Sequence, residues 1–409
     1  MFLYKFGRRL GGGAYRAGDR SKTDIFFVQT TDISVGSQLH GQLGYLRSRG
    51  LRVAVASADT GVLETIAARD QVAAYGLPIK RDPSVVADLH ALAVVFALMR
   101  RLAPRVVVYG TPKASLLGAI ASWALRVPRR VYCVYGLRAE TMSGYRRRLM
   151  LLIEKTIIFL STDVVAVGHG LREEMLAAGI SGDVMVFGKG SANSVDMAAY
   201  KRRGQDEALR FSFREQQGIP RNAMVVGYVG RITADKGIDT LIEAMRLLRE
   251  ELGDVYLLLV GPDEALNGLQ QLTIAVLDEY WVCRTGNVVD TSSVYAAMDV
   301  FCLPSRREGL PTVLLEAAAS GTPIVATNAT GVRDVIPDAS CGHIVSIDDG
   351  KGLAAALRSV LENPVAAASM ANHTQGLVSK EFNRERLWAI QYSFYAAATG
   401  VGNGAVSDD

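Results

Sequence analysis

Glu308 and Glu316 stand eight positions apart in Ser305-Arg306-Arg307-Glu308-Gly309-Leu310-Pro311-Thr312-Val313-Leu314-Leu315-Glu316, and that spacing decides what the pair could do. Residues 300–304 read as a short buried strand and Glu308 as part of the loop after it. Pro311 suits the first helical position, because its missing N–H would be unpaired there anyway. Glu316 then falls about one turn further in. The free N–H groups of Thr312 and Val313, together with the helix dipole, would meet a diphosphate at the mouth. One carboxylate is left for sugar hydroxyls and one for ribose, which is the geometry a nucleotide-sugar requires. A second constellation lies upstream, where Gly227-Tyr228-Val229-Gly230-Arg231 ends a strand and Lys236-Gly237 opens the next helix. Arg231 and Lys236 therefore flank one strand-to-helix turn and reach the same phosphates. An Arg as bidentate clamp and a Lys as point charge stabilise the charge on a departing nucleoside diphosphate without a metal. The chain has no D-x-D and no His/Cys/Asp cluster, so no cofactor and no metal are expected.

The first segment resembles the E-x7-E signature of retaining, family-4-type glycosyltransferases with the GT-B fold, including the pairs Pro304-Ser305, Glu308-Gly309 and Glu316-Ala317. The resemblance implies that Glu308 contacts the donor sugar and Glu316 the ribose, with Gly309, Leu310 and Thr312 lining the same pocket. It also implies that the G-R-x4-K-G arrangement of Gly230, Arg231, Lys236 and Gly237 holds the diphosphate. Residues 285–290 look like the loop that lies against the nucleobase, which places Val288 there. Gly331-Val332-Arg333-Asp334 resembles a loop that covers the donor, although Arg333 reads rather as a residue with a structural partner. Tyr109-Gly110-Thr111-Pro112-Lys113-Ala114-Ser115 and Tyr135-Gly136-Leu137-Arg138-Ala139-Glu140 match the subgroup that builds capsule, O-antigen and exopolysaccharide repeats. Together these matches cover residues 24–395.

That subgroup implies a UDP-sugar donor and a hexose or N-acetylhexosamine moved, with configuration retained, onto a sugar carried by polyprenyl diphosphate at the inner membrane face. The leaving phosphate itself would take the acceptor proton. Tyr135 stands where many relatives carry His or Arg facing the donor sugar, and Gly36 and Arg138 fall on the acceptor side. The chain departs from the pattern at Asn193-Ser194-Val195-Asp196, where Asn-Gly-Val-Asp is usual, and at Gly168-His169-Gly170-Leu171, where Ser-x-x-Leu is usual. Two rival classes share the fold. A UDP-sugar epimerase would need an acid/base pair that the five His do not form, and a non-catalytic nucleotide-sugar-binding protein would lack the phosphate grip that is intact here.

The elements that must position these residues alternate along the chain. Apolar β-rich runs at 24–30, 51–57, 105–109, 131–134, 163–167 and 184–187 are separated by helical patterns, as parallel βαβ units require. A second series runs at 224–229, 255–260, 286–289, 300–304, 323–326 and 343–345. The fold class is therefore α/β, with two Rossmann-like parallel-sheet domains expected to face each other across a cleft. The turn-rich segment 188–196 is the expected hinge. The expected organisation is a flexible lead at 1–23, an acceptor-binding domain at 24–190, a nucleotide-sugar domain at 191–382, a helix at 383–400 returning to the first domain, and a disordered tail at 401–409. Gly11-Gly12-Gly13 precedes the first strand and is a lead; the phosphate-approach loop of the first domain is 31–36.

With 409 residues, 49% hydrophobic and 21% charged, the chain suits two such domains. No apolar run reaches the roughly 20 residues of a membrane span, and the start does not read as a secretory signal. A cytoplasmic location follows as an expectation, with Cys133, Cys283, Cys302 and Cys341 as reduced core thiols. Net charge is +4, but residues 1–190 hold 26 Lys and Arg against 14 Asp and Glu, while the remainder holds 19 against 27. Such asymmetry suggests an anionic partner for the front half, either a membrane surface or a lipid-linked diphosphate. Nucleic acid is the weaker reading, because the basic residues are spread over several elements with few aromatics among them, and no nucleic-acid partner is expected. Arg146-Arg147-Arg148 followed by Leu149-Met150-Leu151-Leu152-Ile153 fits a helix lying on anionic headgroups, or a core helix with a solvated end.

Overall fold

A computed structural model describes residues 23–80, 84–180, 182–204, 206–264, 266–288 and 290–400. The lead, its three consecutive glycines and the 401–409 tail lie outside the described residues. The chain divides into two compact units: Met1–Ala166 with Ala178–Phe187 and Leu387–Asp409, and Val167–Ala177 with Gly188–Arg386.

In the first unit the strands are β1 (Ile25–Thr31), β2 (Val53–Ala58), β3 (Ala73–Gly76), β4 (Val106–Tyr109), β5 (Arg129–Val134), β6 (Asp163–Ala166) and β7 (Val184–Met185). They form one parallel sheet in the order β3-β2-β1-β4-β5-β6-β7. Ile25 lies in register with Val53 on one side and Val106 on the other. Helices cover both faces, so the central strands are near-continuous hydrophobic runs, and residues 25–28 are buried throughout. The helix Arg384–Thr399 lays Tyr395 edge-on against Phe27 at 6.1 Å and Trp388 against Tyr45 at 5.2 Å.

The second unit holds β8 (Met224–Val229), β9 (Val255–Val260), β10 (Val282–Arg284), β11 (Val300–Leu303), β12 (Ile324–Thr327) and β13 (His343–Val345), again all parallel, in the order β10-β9-β8-β11-β12-β13. The strand order therefore reverses between β1 and β4 in one sheet and between β8 and β11 in the other. Ligands of open α/β sheets bind beyond the carboxyl ends of the strands at such reversals. The two Rossmann-like sheets are those of the GT-B class.

The structure corrects four expectations. β3 was not foreseen, because Ala73-Ala74-Tyr75-Gly76 has little β preference and pairs only at the sheet edge. β10 lies at Val282–Arg284 rather than at 286–289: Gly286, with φ of 67°, turns the chain out of the sheet first. Pro311 is the N-cap of the helix Thr312–Ser320, one position earlier than expected. The helix His169–Ala177, expected in the first domain, belongs to the second unit, because the Asp334 carboxylate accepts the Gly170 N–H at 3.1 Å.

Candidate active site

Both cations of the upstream motif sit beyond β8 and both acids of the downstream motif sit beyond β11, the two strands that flank the reversal. The chain leaves β8 through Gly230 and Arg231, makes a 3-10 turn at Ala234–Lys236, and enters the helix Ile238–Leu252 through Gly237. Gly237 has φ of 72°, and a Cβ there would lie 1.9 Å from the Pro304 carbonyl oxygen. Only glycine lets this turn pack so closely against the end of β11. The consequence is local: Lys236 Nζ reaches Glu308 Oε1 at 2.7 Å, with both side chains mostly shielded from solvent.

Around that pair lies a lattice of opposite charges. Arg231 donates to Glu264 at 3.2 Å and stands 3.6 Å from Asp235. Arg307 meets the same Asp235 at 3.3 Å. Burial raises the Asp235 pKa, but the Thr233 hydroxyl and the charges of Arg231, Lys236 and Arg307 outweigh it and hold the carboxyl below its ordinary range. The backbone is tied in as well, since Tyr228 Oη donates to the Arg231 carbonyl at 2.7 Å and Arg306 donates to the Ala234 carbonyl at 3.1 Å. Three cationic groups, Arg231, Lys236 and Arg307, thus gather where β8 and β11 end, each paired with a carboxylate.

Beside them, the helix Thr312–Ser320 opens with the Thr312 and Val313 amides, which have no intrahelical acceptor. Gly309 and Leu310 are buried against Gly331, where a Cβ would lie 1.9 Å from the Gly309 oxygen. Glu316 occupies a separate environment: its Oε2 accepts Tyr295 Oη at 2.8 Å and Thr291 Oγ1 at 3.4 Å. Burial pushes its pKa up, partly offset by the hydroxyls of Tyr295, Tyr200 and Thr291 and by the charge of Arg384. Among the described residues no group of three His, Cys, Asp or Glu side chains is arranged to hold a metal ion.

Two family models match the chain: Glycosyl transferases group 1 over residues 210–376 and Glycosyl transferase 4-like domain over residues 35–189. The chain is a family 4 glycosyltransferase. It is 29% identical over 379 residues, 91% of this chain and 96% of the relative, to the capsular polysaccharide biosynthesis glycosyltransferase CapM of Staphylococcus aureus. It is 26% identical over 304 residues, 72% of this chain and 76% of the relative, to the UDP-Gal:alpha-D-GlcNAc-diphosphoundecaprenol alpha-1,3-galactosyltransferase of Escherichia coli. Among solved structures it is similar to Anabaena Alr3699/HepE in complex with UDP and glucose, with a TM-score of 0.77 at 20% identity over 92% of this chain and 100% of that one. At that identity the likeness is one of fold.

The remaining expected site residues of this glycosyltransferase are spread over both units. Val288 is half-buried just past β10 in the second unit. Tyr135, Gly36 and Arg138 belong to the first unit and so are not brought to the charged cluster by the second sheet. Tyr135 follows β5, packs its ring on Gly110 and accepts Gln29 Nε2 at 3.5 Å; burial pushes its phenol far above the usual range. Gly36 is helical within Asp32–Gln38, and Arg138 is exposed at the start of a 3-10 turn. Arg333 donates to Asn328 at 2.9 Å, and His169 is exposed at the head of its helix. Sequence reading missed Asp235, Glu264, Arg307, Tyr200, Thr291 and Tyr295. Of these, Asp235 and Arg307 adjoin motif residues and could have been taken with them, whereas the other four carry no local signal.

Proposed function

We propose that this glycosyltransferase moves a hexose or N-acetylhexosamine from a UDP-sugar, with retention of configuration, onto a saccharide carried by polyprenyl diphosphate in the assembly of a capsular or related surface polysaccharide. The observation that carries this reading is the Lys236–Glu308 contact of 2.7 Å beside the open amides of the helix Thr312–Ser320. It supports the reading by joining the acid assigned to the sugar with the cation assigned to the phosphate, next in sequence to a helix N-terminus. The capsular and diphosphoundecaprenol relatives support the acceptor class, and the UDP complexes of the Anabaena fold-mate support the nucleotide.

In this reading Glu308 holds hydroxyls of the donor sugar, Glu316 the ribose, and Val288 lies near the base. Arg231, Lys236 and the Thr312 amide stabilise the departing UDP, so no metal is required. The bond from the anomeric carbon to the phosphate oxygen breaks, the acceptor oxygen bonds to the same face of that carbon, and the acceptor proton passes to the leaving phosphate. Gly36 and Arg138 serve the acceptor and Tyr135 the donor sugar. The enzyme works at the cytoplasmic face of the membrane, held there peripherally by the helix Gly144–Leu160.

The deciding experiment incubates the enzyme with a panel of UDP-sugars, with and without polyprenyl-diphosphate-linked saccharides, and follows UDP release. Acceptor-dependent release that persists in EDTA is expected. Strict dependence on Mg²⁺ would overturn the metal-free step, and NMR showing isomerisation of UDP-sugar without acceptor would replace transfer by epimerisation.

A further inference from the structure

Glu316 is surrounded by hydroxyls drawn from two other helical segments. Tyr295, on the helix Ser292–Ala296, is 1% exposed, and its Oη lies 2.8 Å from Oε2 but 3.3 Å from the Val313 carbonyl, so its one proton goes to the carboxylate. Thr291 Oγ1 points at the same Oε2 from 3.4 Å, and Tyr200 Oη, from the helix Met197–Gly204, lies 2.8 Å from Thr291 Oγ1. Because Thr291 spends its proton on Glu316, Tyr200 is the donor in that contact. Two chains of donors therefore end on one carboxylate oxygen. No side chain among the described residues bonds Oε1, and Glu316 as a residue keeps some surface to solvent. Burial, and next the charge of Glu316, push both phenols far above their ordinary range, so they stay protonated and remain donors.

We infer that Tyr295, and Tyr200 acting through Thr291, are positioning residues that fix Glu316 with Oε2 occupied and Oε1 turned outward to accept a ribose hydroxyl, making them determinants of ribose over deoxyribose. This rests on the reading that Glu316 faces the ribose of the donor. Each tyrosine ring is also packed, with Tyr200 5.9 Å from Tyr295 and Tyr295 5.6 Å from Phe301, so a phenylalanine keeps the packing and removes only the donor.

The test measures the Kd of UDP against that of 2′-deoxy-UDP by calorimetry in the wild type, Glu316→Ala, Tyr295→Phe, Tyr200→Phe and Thr291→Val, with thermal melts as a check on folding. The wild type should prefer UDP by at least about tenfold, as expected for a hydrogen bond to a charged acceptor. Glu316→Ala should abolish the preference, and Tyr295→Phe should lower it at least about threefold while raising KM for the UDP-sugar and leaving kcat nearly unchanged, the signature of lost ground-state binding. Tyr200→Phe and Thr291→Val should lower the preference together and by similar factors. If the preference disappears in Glu316→Ala but stands at the wild-type value in the folded tyrosine and threonine variants, the positioning role is overturned and the ribose assignment survives. If Glu316→Ala itself keeps the preference, both fall.

Discussion

In the proposed reading a diphosphate takes the place of a carboxylate among the charged groups beyond β8 and β11. Arg231, 39% exposed, and Glu264, 31% exposed, form a pair of the kind that contributes about 0–1 kcal/mol. A diphosphate with more negative charge and the same bidentate geometry displaces such a partner at small cost. Glu264→Gln should therefore tighten UDP binding up to about fivefold, the factor that 1 kcal/mol represents; unchanged or weaker binding by calorimetry would show that Glu264 is no competitor. Arg231→Ala and Lys236→Ala should each lower kcat at least about tenfold, since each removes about 1.4 kcal/mol or more of stabilisation from the leaving group. Wild-type turnover in either variant would remove the diphosphate assignment. A pH effect follows from Glu316. Only its ionised form accepts a ribose hydroxyl without offering a proton of its own, and burial has raised its pKa above the ordinary carboxylate range despite the hydroxyls around it. As pH falls, KM for the UDP-sugar should climb earlier than an ordinary Glu would cause, and in Tyr295→Phe, which loses a bond that lowers the pKa, the climb should begin at higher pH still. An acid limb at the same pH in both proteins would contradict this.

The site depends on how two strand-loop-helix units are brought together, and Gly237 is where that requirement is sharpest. With φ of 72° and a Cβ that would sit 1.9 Å from the Pro304 oxygen, Gly237→Ala faces both a left-handed backbone and a backbone clash. The conformation alone costs roughly 1–2 kcal/mol, and relief of the clash must move Lys236 away from Glu308. The variant should melt at lower temperature and lose kcat toward the Lys236→Ala level; a full melting temperature with full activity would show that the turn tolerates a side chain. Much of this was legible in the sequence because each half of the site is short and contiguous: a strand, a turn and a helix start within a dozen residues carry Arg231 with Lys236, and Glu308 with Thr312 and Glu316. The central strands were legible for a related reason, since burial on both faces leaves unbroken apolar runs. What escaped was set by tertiary contact. Nothing near Tyr200, Thr291 or Tyr295 marks them as partners of Glu316, for they come from two other helical segments and have ordinary compositions. β10 was misplaced because Val288 and its neighbours look as strand-like as Trp281-Val282-Cys283, and only the turn at Gly286 decides between them.

At the scale of the whole molecule, the excess of basic residues in the front half acquires a surface. Along the helix Gly144–Leu160, Tyr145, Leu149, Leu152 and Phe159 recur at helical spacing and are 73%, 51%, 62% and 82% exposed, while Glu154, Ile157 and Leu160 face inward. Arg146, Arg147, Arg148 and Lys155 are exposed beside that stripe. Among the described residues no helix is long and apolar enough to cross a membrane; the lipid-linked acceptor proposed above calls for a protein surface that reaches the bilayer from outside. Near an anionic leaflet each basic residue is worth about 1 kcal/mol, which for three arginines amounts to roughly a hundredfold in partition, and each apolar side chain sunk into the interface adds to it. Flotation with vesicles of phosphatidylglycerol should carry the protein up, vesicles of phosphatidylcholine should do so far less, and 0.5 M salt should largely abolish the difference because exposed charges are screened. Leu149→Ser with Phe159→Ser should lower binding to phosphatidylglycerol at least about tenfold while leaving UDP binding unchanged, since both side chains lie in the first unit and the phosphate grip in the second. Equal binding to both kinds of vesicle, or a variant that floats as well as the wild type, would remove the helix from the membrane; and if the stripe instead holds two copies of the chain together, the same substitutions would convert a dimer to a monomer in size-exclusion chromatography with no change in flotation.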